Sequence, residues 1–300
     1  MNDDLRVVFE SPSRGACADR ALVLESLRIP YQIVADPSSC ALVVPAEFSA
    51  RARDELLQYE EENPPPVIEK PAPVFQHQNA VPGILVYAIV VCLVAGMEAR
   101  GTFAFDWRGA GRVDGVLIRA GDWWRTITAL TLHSGLRHLV GNLVFGGLFG
   151  LFAGRLLGPG VAWLTILLAG AAGNLLNMLL LDPTHKSIGA STAVFAALGL
   201  VAGFVWRGKL MRQDHWAYRL GPIIGGLALL MYTGTGGPNT DVGAHLMGFL
   251  CGLLAGVMLA PVRSGLANQR LQMHAGWLAI LLVGFAWVVA YLRYNPATIM

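Results

Sequence analysis

Charge is what this chain has least of. Asp, Glu, Lys and Arg together make up 14% of its 300 residues, against about a quarter in an ordinary soluble domain, and the formal net charge is only +2. The basic residues stay in short loops and never form the dense stripe that a nucleic-acid surface requires, so nucleic acid is not an expected partner. Cysteine is nearly as scarce. Cys17, Cys40, Cys92 and Cys251 show no CxxC spacing; they offer none of the usual frames for a metal site or a redox pair and read as reduced packing residues. The beginning, Met1-Asn2-Asp3-Asp4, also lacks the basic and apolar regions of a cleavable signal peptide. The first apolar segment is therefore expected to act as an uncleaved anchor.

Apolar residues occupy the space that charge leaves. The hydrophobic fraction is 54% and the mean hydropathy +0.52, values that point to a multi-pass integral membrane protein whose constant partner is the lipid bilayer. A helix needs about 17 to 25 residues to cross. From residue 81 onward seven stretches approach that length, at 81–98, 130–154, 160–181, 189–206, 219–233, 241–261 and 275–292. The fifth, short and containing Gly225-Gly226, is the weakest of them. The expected class is an all-α polytopic bundle.

Residues 1–62 have another character. Arg6–Glu10, Tyr31–Val34 and Ala41–Val44 read as strands, and Ala18–Leu27 and Glu47–Glu61 as helices. The β-α-β-β-α order predicts a small ferredoxin-like α+β soluble domain, which loosely resembles small bacterial signal-transducing domains and carries no catalytic motif; its partner is unknown. Residues 63–80 include Pro64-Pro65-Pro66, Pro71 and Pro73, a stretch that favours extended polyproline geometry and reads as a linker to the membrane domain at 81–300. Positive charge sets the expected orientation. The loop after the fourth stretch holds Arg207, Lys209, Arg212 and Arg219, and that after the sixth Arg263 and Arg270, whereas the loop between the fifth and sixth has neither Lys nor Arg. This places the N-terminus in the cytoplasm, with a bacterial inner membrane as the expected setting.

The long first loop, about 99–129, contains Phe103, Phe105, Trp107, Trp123 and Trp124. Aromatic side chains favour the headgroup zone, so an interfacial substructure is expected, with Trp124-Arg125 as its anchor and a phosphate or carboxylate as the partner of Arg125.

Stretches two, four and six must run in the same direction. Residues near their N-terminal ends therefore share one depth, and His138, Asn142, Ser191 and His245 all lie there. Serine needs a neighbouring base to act as a nucleophile, and neutral imidazole is the usual one; Ser191 and His245 are the candidates. His138 and Asn142, about 40° apart around a helix, present donors on one face. Acyl transfer needs such donors for its oxyanion, and Asn142 with the Ser191 N–H is the preferred pair, assisted by His138. Taken singly, Ser191 and His245 are also compatible with interhelical packing, but intramembrane ionisable residues are costly and usually functional. Small residues around Ser191 and the Gly248, Gly252, Gly256 repeat would let the two helices approach.

Other polar residues carry less. His133, five before His138, would stand about 140° away on a helix and is read as a brace for the first loop. Asp241 is read first as a helix cap and only second as an orienter of His245. Asn174 and Asn177 read as interhelical glue, and His185 as an uninformative loop residue.

The motifs His133-x4-His138-x3-Asn142, Gly189-Ala190-Ser191, Ala244-His245-x2-Gly248 and Trp124-Arg125 make residues 81–292 resemble the rhomboid intramembrane serine proteases. The resemblance implies a six-helix core plus one additional C-terminal transmembrane helix. It implies a Ser191–His245 dyad with oxyanion support from His138 and Asn142, no metal or organic cofactor, and transmembrane proteins as substrates cleaved through an acyl-enzyme. The chain departs from the family in having Thr192 where glycine often follows the nucleophile. The rival expectation is a non-catalytic binder of transmembrane segments, a pseudoprotease-like quality-control adaptor.

Overall fold

A computed structural model describes residues 4–36, 38–64, 76–180, 184–211, 215–235 and 240–295. Most of the proline-rich stretch, Pro71 and Pro73 included, lies outside the described residues, as does Arg212. The chain divides into two compact units, Met1–Val67 and Ile68–Met300.

The first unit contains β1 (Leu5–Ser11), α1 (Arg14–Ser26), β2 (Gln32–Ala35), β3 (Cys40–Pro45) and α2 (Ser49–Glu62). Its sheet has the order β1-β3-β2, with β3 antiparallel to both neighbours. The outer strands therefore run parallel, joined by a helical crossover, as in a split β-α-β unit. Ser13 caps α1 by accepting from the Ala16 N–H. Leu24, Leu42, Val44, Ala52 and Leu56 close a small core between sheet and helices.

The second unit is helical. Its main helices are α3 (Val81–Ala99), α7 (Leu136–Leu157), α8 (Pro159–Leu180), α9 (Ser191–Arg207), α10 (Trp216–Gly234), α11 (Val242–Leu259) and α12 (Gln269–Tyr294). Among the described residues five helices are long and apolar enough to cross a membrane: α3, α7, α8, α12 and α11 with its continuation to Ala267. α9 is an apolar helix of 17 residues, and α10, which contains Pro222, is not among the five.

The second expected stretch began at 130, but α7 starts at Leu136. The residues before it, Arg125–Thr128 (α6) and the tight turn Ala129–Thr131, belong to the first-loop substructure with α4 (Trp107–Gly111), β4 (Val113–Asp114) and α5 (Gly115–Arg119). Phe105, Trp107 and Trp124 are buried in a core completed by Ala286 and Ala290 of α12, and only Phe103 and Trp123 remain exposed. Three of the loop's five aromatic rings thus pack inside the protein, against residues of α3 and α12. Arg125, fully buried, finds a carboxylate: its Nε donates to Asp122 at 3.0 Å and its Nη1 to the carbonyls of Gly109 and Arg112. The guanidinium lies 4.9 Å from the Tyr294 ring centre, and the Tyr294 hydroxyl donates to Asp122.

Between α9 and α11 the backbones touch. A Cβ on Gly248, Gly252 or Gly256 would overlap the carbonyl of Thr192, Ala196 or Leu200, and one on Gly199 or Gly203 would overlap that of Phe249 or Leu253. The four-residue spacing of the glycines thus matches successive turns of the facing helix.

Candidate active site

The approach of α9 to α11 decides where Ser191 and His245 stand. Ser191 is the first residue of α9, and His245 lies in the first turn of α11. Their side chains meet: Ser191 Oγ and His245 Nε2 are 2.8 Å apart. The imidazole packs on Phe195, one turn beyond Ser191, with ring centres 4.5 Å apart. At the head of a helix the Ser191 N–H has no intrahelical acceptor.

The segment leading to Ser191 is held by backbone bonds. β5 (Lys186–Ser187) pairs with β4, the Gly115 N–H donates to the His185 carbonyl, and the Gly189 N–H donates to the Ala129 carbonyl. Gly189 has φ +141°, a conformation L side chains rarely adopt. A Cβ there would stand 2.6 Å from His138 Cε1, 2.9 Å from His138 Nε2 and 3.3 Å from Ser191 Oγ. The missing side chain is therefore what lets the His138 ring come up beside the serine.

His138 and Asn142 follow one another along α7. His138 Nδ1 is 3.0 Å from the Ser134 hydroxyl; when it accepts there, the neutral ring carries its proton on Nε2, the edge toward Gly189. Asn142 is buried, and its carbonyl accepts from the Tyr87 hydroxyl at 2.9 Å. Its side-chain Nδ2 has no hydrogen-bond partner among the described residues. A buried donor left unpaired costs about 1–3 kcal/mol, and an acceptor arriving in the site would remove that cost.

His133 is not on α7, so the helical offset that separated it from His138 does not apply. The chain is extended at Gly135, and the two rings pack edge to face with centres 5.3 Å apart. Burial, together with neighbouring His138, pushes the His133 imidazole down to about 4, and its carbonyl accepts from Arg108, the bracing role the sequence suggested. Thr192, buried in the first turn of α9, packs against Gly248.

His185 was read as uninformative, and the structure corrects that reading. Its Nε2 lies 2.7 Å from Asp241 Oδ2. Asp241 caps α11 by accepting from the Ala244 N–H at 2.9 Å, and Asn177 Nδ2 of α8 stands 3.1 Å from each carboxylate oxygen. Burial alone would raise the Asp241 pKa, but the bonds from Ala244, His185 and Asn177 outweigh it and hold the carboxyl below its usual value. Asn174 donates to the Thr126 carbonyl, fastening α8 to the first-loop substructure. No local pattern marked His185, because its partner lies 56 residues away.

Comparison with known proteins places this geometry in a family context. Residues 120–262 match the rhomboid domain. The Rhomboid protease GluP of Bacillus subtilis (strain 168) is 25% identical over 290 residues, covering 96% of this chain and 51% of that protein. Rhomboid-like protease 3 of Toxoplasma gondii is 38% identical over 164 residues, covering 54% of this chain and 58% of that protein. Inactive rhomboid protein 1 of Drosophila melanogaster is also similar, 29% identical over 166 residues, 53% of this chain and 11% of that protein. The chain thus spans about half the length of the curated relatives that head the comparison. With the match enclosing His138, Asn142, Ser191 and His245, residues 120–262 of this chain are a rhomboid domain.

Proposed function

We propose that the chain is an intramembrane serine endopeptidase that hydrolyses peptide bonds in or near the transmembrane segments of other membrane proteins. The observation that carries this reading is the 2.8 Å contact between Ser191 Oγ and His245 Nε2 at the heads of two helices. Neutral His245 takes the hydroxyl proton as Oγ attacks the scissile carbonyl carbon. The negative charge that develops on the carbonyl oxygen is met by the Ser191 N–H, Asn142 Nδ2 and His138 Nε2. Collapse of the tetrahedral intermediate breaks the C–N bond, and the His245 imidazolium gives its proton to the leaving amine. Water, deprotonated by the same imidazole, then attacks the acyl-serine ester and releases the second product.

The substrate helix must unwind locally, because carbonyls inside a helix are already bonded and cannot be presented. Small or helix-breaking residues near the cut are therefore expected in substrates. The proposed orientation has the N-terminus in the cytoplasm of a bacterial cell, and residues 1–62 serve as a separate soluble domain.

The similarity to an inactive rhomboid protein favours a second reading, a non-catalytic binder of transmembrane segments. A fluorophosphonate probe separates the two. Covalent labelling that disappears in Ser191→Ala and His245→Ala, with parallel loss of cleavage of a transmembrane model substrate, is the result expected of the protease. An unlabelled, folded wild-type chain would leave the binder.

A further inference from the structure

The carboxylate of Asp241 joins three elements that the dyad needs held together. It caps α11 through the Ala244 N–H, it is bonded by Asn177 of α8, and it takes His185 Nε2 at 2.7 Å. His185 stands six residues before Ser191, in the segment that delivers the serine. Its two ends are fastened differently. On one side the backbone bonds of Gly115 with His185, of β4 with β5 and of Gly189 with Ala129 tie it to the first-loop substructure, with Lys186 Nζ 3.5 Å from Asp114. On the other side, the side-chain bond from His185 to Asp241 runs to the first turn of α11, where His245 sits.

The glycine seam sets the spacing of α9 and α11 along their lengths, but Ser191 is the first residue of its helix and inherits its position from the segment before it. We propose that the His185–Asp241 pair is a strap that holds the serine-bearing segment against the histidine-bearing helix, and that both are positioning residues for the dyad. The proposal rests on reading Ser191 and His245 as that dyad. Neither member of the strap touches the reacting atoms. Asp241 acts through the helix cap and through His185, and His185 acts through the backbone that leads to Ser191. Both are partly buried, with side chains 28% and 15% exposed, so water competes for this hydrogen bond less than it would at the surface.

The test uses the full chain in lipid vesicles, with a transmembrane model substrate, a fluorophosphonate probe and a thermal unfolding assay. His185→Ala should lower kcat by about 10- to 100-fold, the effect of a small misplacement of reacting groups, while KM changes little. The rate of fluorophosphonate labelling should fall in parallel. His185→Gln, which keeps an N–H donor, should recover much of the loss. Asp241→Asn, which keeps the helix cap but loses the charge, should resemble His185→Ala, and the double variant should be no worse than the weaker single one, as expected of two halves of one interaction.

Full kcat in His185→Ala, or losses that multiply in the double variant, would overturn the strap. A lowered unfolding temperature with unchanged kcat in the folded fraction would overturn it too, leaving only a structural contact. Those outcomes are distinct from failure of the dyad itself, which would appear as a wild-type chain that the probe does not label.

Discussion

The buried side-chain Nδ2 of Asn142 finds no acceptor among the described residues. If that donor serves the oxyanion, Asn142→Ala should cost about 10²–10³ in kcat with little change in KM, because the bond strengthens only as charge develops. Thermal stability should hardly fall, since an unpaired buried donor is removed along with the packing of a small side chain. Steady-state kinetics beside an unfolding curve would show it; normal turnover in a destabilised protein would make Asn142 a packing residue.

His133 makes a prediction of another kind. Its folded-state pKa of about 4 lies below the ordinary 6.5, so as pH falls through 6.5 the unfolded chain takes up a proton that the folded one refuses. Stability contributed by the neutral buried ring is complete above 6.5 and declines toward pH 4, by roughly 3 kcal/mol in all. His133→Phe, which keeps a ring and removes the titration, should flatten that acid limb of the unfolding midpoint. The four proposed site residues were legible because each sits at the head of an apolar stretch, where one reactive polar group stands out. The contact of His133 with His138 and the bond of His185 were not, since one depends on the extended backbone at Gly135 and the other on a partner 56 residues away, neither of which leaves a periodic trace.

Helices were more legible than loops. All seven expected stretches begin within six residues of an observed helix start, because long apolar runs are hard to miss; α10 is the weakest of them, where proline and paired glycines blur the pattern. The segment before α7 misled because Leu130, Thr131 and Leu132 are as apolar as a span, yet they fold as a buried turn closed by Trp287, whose Nε1 donates to Thr131 Oγ1. The repeat of Gly248, Gly252 and Gly256 was read as a packing ridge, and the contacts with Thr192, Ala196 and Leu200 are of that kind. A methyl group placed there has no room. Gly252→Ala should force the helix backbones apart, destabilising the protein by about 1–3 kcal/mol and stretching the Ser191–His245 contact about two turns away. Slower fluorophosphonate labelling in the folded fraction would report the stretch. Unchanged labelling would mean that the heads of the helices are held independently of the seam.

At the scale of the molecule, every residue of the candidate site and every hydrogen bond described around it lies within Ile68–Met300. A chain lacking residues 1–67 should therefore be labelled at Ser191 at the full rate in detergent, and a folded but unlabelled truncation would tie the small α+β unit to the chemistry. The order of synthesis gives the first loop a further property. Arg125 is fully buried beneath Tyr294, and Asp122 takes a hydrogen bond from a hydroxyl 172 residues downstream. At about 5 to 20 residues per second on the ribosome, that partner arrives on the order of ten to thirty seconds after the loop has been made. Until then the body that anchors Gly189 through Ala129 lacks its roof, although α9 and α11 have already been made. A nascent chain thus carries its nucleophile and base before it carries the means to hold them steady.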